Sequence, residues 1–118
     1  MKKILIIDDQ VALTLAALLK YFGYTNLVTA FDGEEGIRMF ETEKPDLVIS
    51  DFDMPKLDGM GVLRHIRSKS KTPVIMTSSD TEDGFLEKAL RAEGADHFLG
   101  KPFDTKQLIE LVQKLLRN

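Results

Sequence analysis

Short, almost unbroken apolar runs recur along the chain at Ile4 to Ile7, Leu27 to Ala30, Leu47 to Ser50, Pro73 to Met76 and His97 to Leu99. Continuous rather than alternating apolarity over so few positions predicts strands buried on both faces, the pattern of a parallel sheet. Between the runs the period changes. Val11, Leu15, Leu18, Leu19 and Phe22 recur every three or four residues ahead of Gly23, which reads as a helix stop. Ile37 and Phe40 mark a second helix after the Asp32-Gly33 turn, and Leu63 and Ile66 mark a third after Gly59. Phe85, Leu86, Ala89 and Leu90 mark a fourth, which Gly94 ends. The fifth is the clearest. Asp104 or Thr105 can cap it, Leu108, Leu111, Val112, Leu115 and Leu116 share one face, and Lys114 and Arg117 suit the negative end of its dipole.

Five strands alternating with five helices through short connections predict βαβ units with right-handed crossovers, hence a doubly wound α/β fold. At 118 residues the chain is sized for one such domain over residues 1–118, without repeats, low-complexity tract or linker. Ligands of this architecture bind beyond the carboxyl ends of the strands, where strand order reverses. The residue that follows each strand therefore matters most. Asp8 and Asp9 follow the first, Asp51 the third and Thr77 the fourth, Lys101 stands just past the fifth, and the second ends in Ala30-Phe31 without chemistry to offer.

Taken singly, these residues have structural explanations. An aspartate after a strand is commonly the cap of the next helix, and Thr77, followed by Ser78, Ser79 and Asp80, can serve in loop and capping hydrogen bonds. A lysine is ordinarily a solvated surface group, and Asp58-Gly59 reads as a turn and helix start. Together they are harder to explain, because four segments would bring three acids, a hydroxyl and an amine to one sheet edge. Two carboxylates about 4 Å apart repel by roughly 4 kcal/mol at an effective dielectric of about 20, so the cluster needs a counter-charge. An oxygen-ligated divalent cation supplies one, and Mg²⁺, which takes few carboxylates and keeps waters, suits an open site. One carboxylate is then placed to attack a phosphoryl group, with the cation and Lys101 neutralising its oxygens and Thr77 donating a hydrogen bond, to give an aspartyl phosphate.

Composition narrows the chemistry further. There is no cysteine, and His65 and His97 lack the spacing of a zinc site, so a metal here must be a hard cation held by oxygen. A net charge of -3 gives no basic field for nucleic acid or an anionic membrane, and Lys2-Lys3 is too short for a basic arm. The apolar fraction of 43% with 30% charged residues is ordinary for a folded globular chain. The first apolar run is stopped by Asp8 and Asp9 too early for a signal peptide, so the expected location is the cytoplasm.

The segments "ILIIDD", "PDLVISDFDMPKLDG", "PVIMTSS" and "GADHFLGKPF", in this order and at these separations, resemble the receiver domain of two-component response regulators, the fold of the bacterial chemotaxis regulator. The likeness spans essentially the whole chain and implies a flavodoxin-like five-stranded parallel sheet, order 2-1-3-4-5, flanked by five helices. It implies that Asp51 is the phosphoacceptor and that Asp8 and Asp9 form the acid pocket for Mg²⁺, Asp9 directly and Asp8 through water. Asp51 and the backbone carbonyl of Asp53 are the further implied ligands. By the same resemblance Thr77 is the switch hydroxyl, Lys101 the amine that pairs with the phosphoryl group, and Lys101-Pro102 a cis peptide aiming that amine inward. Phe98 takes the place of the aromatic that moves with Thr77, where many members carry Tyr. Asp53 and Ser79 stand at positions that tune phosphoryl hydrolysis in the family, and Ser78 stands where Ala or Gly is frequent. Leu13 adds an apolar residue beside the core stripe of the first helix, a place for a partner or dimer contact.

The function so implied is a phosphorylation-activated switch rather than an enzyme acting on other molecules, one that assists its own phosphorylation and autodephosphorylation. The donor is a histidine kinase or histidine phosphotransfer protein. The relay runs through Thr77 and Phe98 to the face of the fourth helix, fifth strand and fifth helix, which is offered to a downstream effector or to a homodimer partner. Direct nucleic-acid or membrane binding is not expected. Two alternatives compete. "VISDFDMP" is also how an Asp-x-Asp phosphatase of the haloacid dehalogenase type begins, with Asp53 as general acid, but such enzymes place an acid pair late in a longer chain, whereas here the pair comes first. A pseudo-receiver docking module would lack a pocket residue, and none of the five is lacking.

Overall fold

Along the first strand, neighbouring side chains leave for opposite cores. Ile4 and Ile6 join one apolar cluster and Leu5 and Ile7 the other, all four fully buried. This is the physical meaning of the unbroken apolar runs: a pleated strand sends successive side chains to opposite faces, and both faces are covered. The computed structural model describes residues 1–117; Asn118, the last residue of the predicted domain, lies outside the described residues. The elements are β1 (Ile4–Ile7), α1 (Ala12–Tyr21), β2 (Leu27–Ala30), α2 (Gly33–Glu43), β3 (Leu47–Asp51), α3 (Gly59–Lys69), β4 (Val74–Ser78), α4 (Phe85–Ala92), β5 (His97–Gly100) and α5 (Thr105–Leu116). A single 3₁₀ turn, Glu82–Gly84, precedes α4.

The five strands pair in parallel in the order β2-β1-β3-β4-β5. On one face Leu15 and Leu19 of α1 and Leu108 and Val112 of α5 pack with Ile4, Ile6, Ile49 and Ile75. On the other, Phe40 of α2, Val62, Leu63 and Ile66 of α3 and Leu90 of α4 pack with Leu5, Ile7, Val48 and Met76. Strand order reverses between β1 and β3, so the open end of the sheet beyond Ile7 and Asp51 is the expected ligand crevice.

Local chemistry sets the helix starts. Asp32 accepts from the Glu35 N–H at 2.8 Å while Glu35 Oε1 reaches back to the Phe31 N–H at 2.6 Å, a reciprocal cap for α2. Asp58 accepts from the Gly61 N–H at 3.0 Å at the head of α3, and Asp104, rather than Thr105, caps α5 through the Lys106 N–H at 3.1 Å. α4 has no side-chain cap and begins from Gly84 in the left-handed region.

Three details differ from the sequence pattern. β3 and β4 run on to Asp51 and Ser78, and β4 starts after Pro73, so Asp51 and Thr77 are the last paired residues of their ladder rather than residues beyond it. Pro73 has no N–H to donate and joins only through its carbonyl, which accepts from the Val48 N–H at 3.0 Å, while at the carboxyl end Phe52 N–H donates to Thr77 O at 2.8 Å and Lys101 N–H to Ser78 O at 2.7 Å. In α4, Phe85 is 77% exposed, because the register that seats Leu90 in the core points the first residue of the helix outward. In α5 the buried stripe is Leu108, Ile109 and Val112, with Leu111, Leu115 and Leu116 only half-buried at its rim.

Candidate functional site

Four strand ends deliver the predicted residues to one crevice. β1 leads into Asp8 and Asp9, β3 ends in Asp51, Thr77 is the penultimate residue of β4, and Lys101 follows β5. Asp51 and Thr77 are direct register partners on adjacent strands and so present their side chains to the same side of the sheet. Asp8 is 1% exposed, Asp51 6% and Thr77 1%, while Asp9 is exposed at the mouth.

The two oxygens of Asp8 divide their work. Oδ1 accepts from the backbone N–H groups of Gln10 and Val11 at 2.8 and 3.0 Å, closing the turn that starts α1, and Oδ2 accepts from Lys101 Nζ at 2.9 Å. Turn-closing and pocket-forming roles are therefore carried by one side chain. Lys101 Nζ also lies 3.3 Å from Asp51 Oδ1, which accepts from the Phe52 N–H at 3.0 Å. The Lys101-Pro102 peptide is cis.

Electrostatics follows from this packing. Burial pushes the Asp51 carboxyl above its ordinary value; the Lys101 ammonium pulls it back and the neighbouring Asp8 carboxylate pushes it up again, with the net shift upward. Burial works against the Lys101 charge, but the hydrogen bond to Asp8 and the negative charges of Asp51 and Asp8 outweigh it, so the ammonium is held above its usual range. One ammonium faces three carboxylates, Asp8, Asp9 and Asp51, each offering an oxygen within 4.8 Å of the others. Two negative charges are left over, which matches a divalent cation, and an all-oxygen donor set suits a hard one. Thr77 Oγ1 is buried without a hydrogen-bond partner, the one buried side-chain polar atom of the crevice left in that state among the described residues.

Asp53 is exposed on the β3–α3 loop, Ser78 is buried at the end of β4, Ser79 is exposed beyond it, and Leu13 is 66% exposed on α1. Phe98 is half-buried against the core shared with α4.

Comparison with known proteins decides the family. The profile described as "Response regulator receiver domain" matches residues 4–113. The chain belongs to the response regulator receiver family. This receiver domain is 39% identical to the alkaline phosphatase synthesis transcriptional regulatory protein PhoP of Bacillus subtilis (strain 168), over 98% of this chain and 49% of that protein. It spans about half the length of the curated relatives it matches. Among solved structures it is similar to the chemotaxis response regulator CheY4 of Vibrio cholerae, at 30% identity and TM-score 0.84 over 98% of this chain and 99% of that one. It is also similar to the receiver domain of a sensor histidine kinase of Pseudomonas aeruginosa PAO1, determined with a magnesium ion coordinated in its active site cleft, at 27% identity and TM-score 0.87 over 99% and 98%. The chain is thus a receiver domain of two-component signalling, the family its four sequence segments resemble. No helix among the described residues is long and apolar enough to cross a membrane.

The pattern of residues after strands named Asp8, Asp9, Asp51, Thr77 and Lys101, and the fold brings these five together. It missed the residues that shape the loop between β3 and α3, Gly33, Leu57 and Gly61, because their role is steric and lies between segments distant in the chain. The sequence signal of the two glycines, a glycine at a helix start, reads equally well as turn chemistry, and Leu57 carried none.

Proposed function

We propose that this receiver domain is a cytoplasmic phosphorylation switch in which Asp51 takes a phosphoryl group from a phosphohistidine on a histidine kinase or histidine phosphotransfer protein. The observation that carries the reading is the Thr77 hydroxyl, buried beside Asp51 without a partner. A buried hydroxyl with nothing to bond costs about 1–3 kcal/mol, and a phosphoryl oxygen on Asp51 is the acceptor that would satisfy it. In the transfer, a carboxylate oxygen of Asp51 bonds to phosphorus in line with the breaking P–N bond, whose electrons leave on the imidazole nitrogen. Lys101, already within reach of both Asp51 and Asp8, is placed to follow the new negative charge. Asp8, Asp9, Asp51 and the backbone carbonyl of Asp53 are the groups to hold Mg²⁺. When bound, that ion neutralises the phosphoryl oxygens.

Thr77 turning toward the phosphoryl group, with half-buried Phe98 following it, carries the change to the face made by α4, β5 and α5. That face serves a downstream effector or a second copy of the chain. Asp53 and Ser79, both exposed and two residues beyond Asp51 and Thr77 respectively, are the positions proposed to set how fast water removes the phosphoryl group. Incubation with acetyl phosphate and Mg²⁺ tests the reading. The parent is expected to gain one phosphoryl group, and Asp51→Asn or metal-free protein none; equal labelling of the Asn variant, or an unlabelled parent, defeats the proposal.

A further inference from the structure

The loop that carries Asp53 is held at both ends. At its neck the Gly59 N–H donates to Phe52 O at 2.8 Å, and Gly59 itself is fitted so closely that a Cβ there would lie 2.6 Å from Asp51 O and 2.7 Å from Phe52 Cα. Residues 53–58 between them form a short closed loop. Within it the Leu57 N–H donates to Pro55 O at 2.8 Å across Lys56, whose φ is +70°. A hydrogen bond spanning one residue at positive φ is a γ-turn, a strained arrangement that a lysine holds only when its surroundings impose it.

Leu57 is the surrounding that imposes it. A Cβ on Gly33, at the first turn of α2, would fall on the carbonyl oxygen of Leu57 and 2.8 Å from its Cβ. A Cβ on Gly61, in the first turn of α3, would lie 2.5 Å from Leu57 Cδ1 and 2.8 Å from Cγ. The leucine thus sits in a slot whose two walls exist only because both residues are glycine. Lys56 adds an ion pair to Asp32, the α2 cap, at 3.6 Å, though its exposed side chain makes this a minor contribution.

We infer that Leu57 is a positioning residue for the cation end of the pocket: wedged between Gly33 and Gly61, it fixes the strained loop and with it the direction of the Asp53 carbonyl. The inference rests on the proposed reading of the pocket and extends it to α2, which contributes no side chain to the acids. A change in how the head of α2 sits on the loop is thereby a change in cation affinity.

The test is a MgCl₂ titration followed by the ¹H–¹⁵N amide shifts of Asp9 and Asp53, which reports binding separately from any phosphorylation, with the α5 amides showing that each variant is folded. Leu57→Ala and Gly33→Ala are expected to weaken Mg²⁺ binding about tenfold, the usual cost of losing a group that orients a metal ligand. Leu57→Met, which refills the slot, is expected to bind within about twofold of the parent. Leu115→Ala, half-buried on the opposite side of the sheet, controls for loss of stability alone and should bind as the parent does. If the parent binds and Leu57→Ala binds equally well, the inference fails while the pocket reading stands. If Leu115→Ala weakens binding as much as Leu57→Ala, the effect is global and the inference also fails. A parent whose Asp9 and Asp53 amides do not respond to Mg²⁺ overturns both.

Discussion

A carboxylate that is buried beside another acid leaves a trace in stability. Burial raises the folded-state pKa of Asp51 above the ordinary 3.8, with Lys101 opposing and Asp8 adding to the rise. Between the two values the folded state binds more protons than the unfolded one, so this group makes stability fall as pH rises through that window, and the penalty persists above it. Asp51→Asn is therefore expected to melt higher than the parent at pH 7, with the gap closing as the pH is lowered toward the ordinary carboxylate range. Thermal melts across pH would contradict this if the two proteins matched at pH 7 or if the gap widened on acidification. At the same scale, Asp8 shows where reading residues one at a time stops working. Turn chemistry and a place in the acid crevice looked like rival roles, and its two oxygens divide them, Oδ1 closing the turn before α1 and Oδ2 pairing with Lys101.

Elements are tied together at the end of the sheet opposite the acids, and there one side chain does most of the joining. Arg67 of α3 donates through Nε to Gly94 O at 2.9 Å, through Nη1 to Thr72 O at 2.7 Å and through Nη2 to Asp96 Oδ2 at 2.8 Å. The same Asp96 oxygen accepts from the Val74 N–H at 2.8 Å, so one guanidinium and one carboxylate fix where β4 and β5 begin. Gly94, at φ +111°, leaves room for the arginine that a Cβ 2.9 Å from Nε would deny. Arg67→Met keeps the aliphatic stem and removes the fork, and should cost about 2 kcal/mol, the scale of hydrogen bonds to a charged donor in a half-buried setting. Urea unfolding that showed less than about 0.5 kcal/mol would remove this role. None of this is legible in the pattern of apolar runs, which located α3, β4 and β5 but carries no information on the polar ties among them. The exposed Phe85 misled the reading for a related reason: an apolar residue at a helix start is assigned to the buried face until the left-handed entry at Gly84 sets the register.

At the scale of the whole molecule, three carboxylates and one ammonium are gathered from the ends of three strands, so a cation held there would couple its binding to folding, because the unfolded chain holds no such cluster. Mg²⁺ at about a hundred times its dissociation constant is expected to stabilise the fold by about 2.7 kcal/mol, seen as a higher melting temperature that EDTA reverses and Asp9→Asn abolishes. An unchanged melting curve at high Mg²⁺ would contradict it. The sequence alone determined the alternation of buried strands and amphipathic helices, the crevice they imply and the identity of the groups in it, since each depends on periods and positions within short segments. Only the tertiary structure decided that Asp51 and Thr77 are register partners, that the Thr77 hydroxyl is left unpartnered, that Lys101 bridges Asp8 and Asp51, and that Leu57 is wedged between two glycines. Those facts are distances between residues far apart in the chain, and they arise from closing the sheet and packing both its faces.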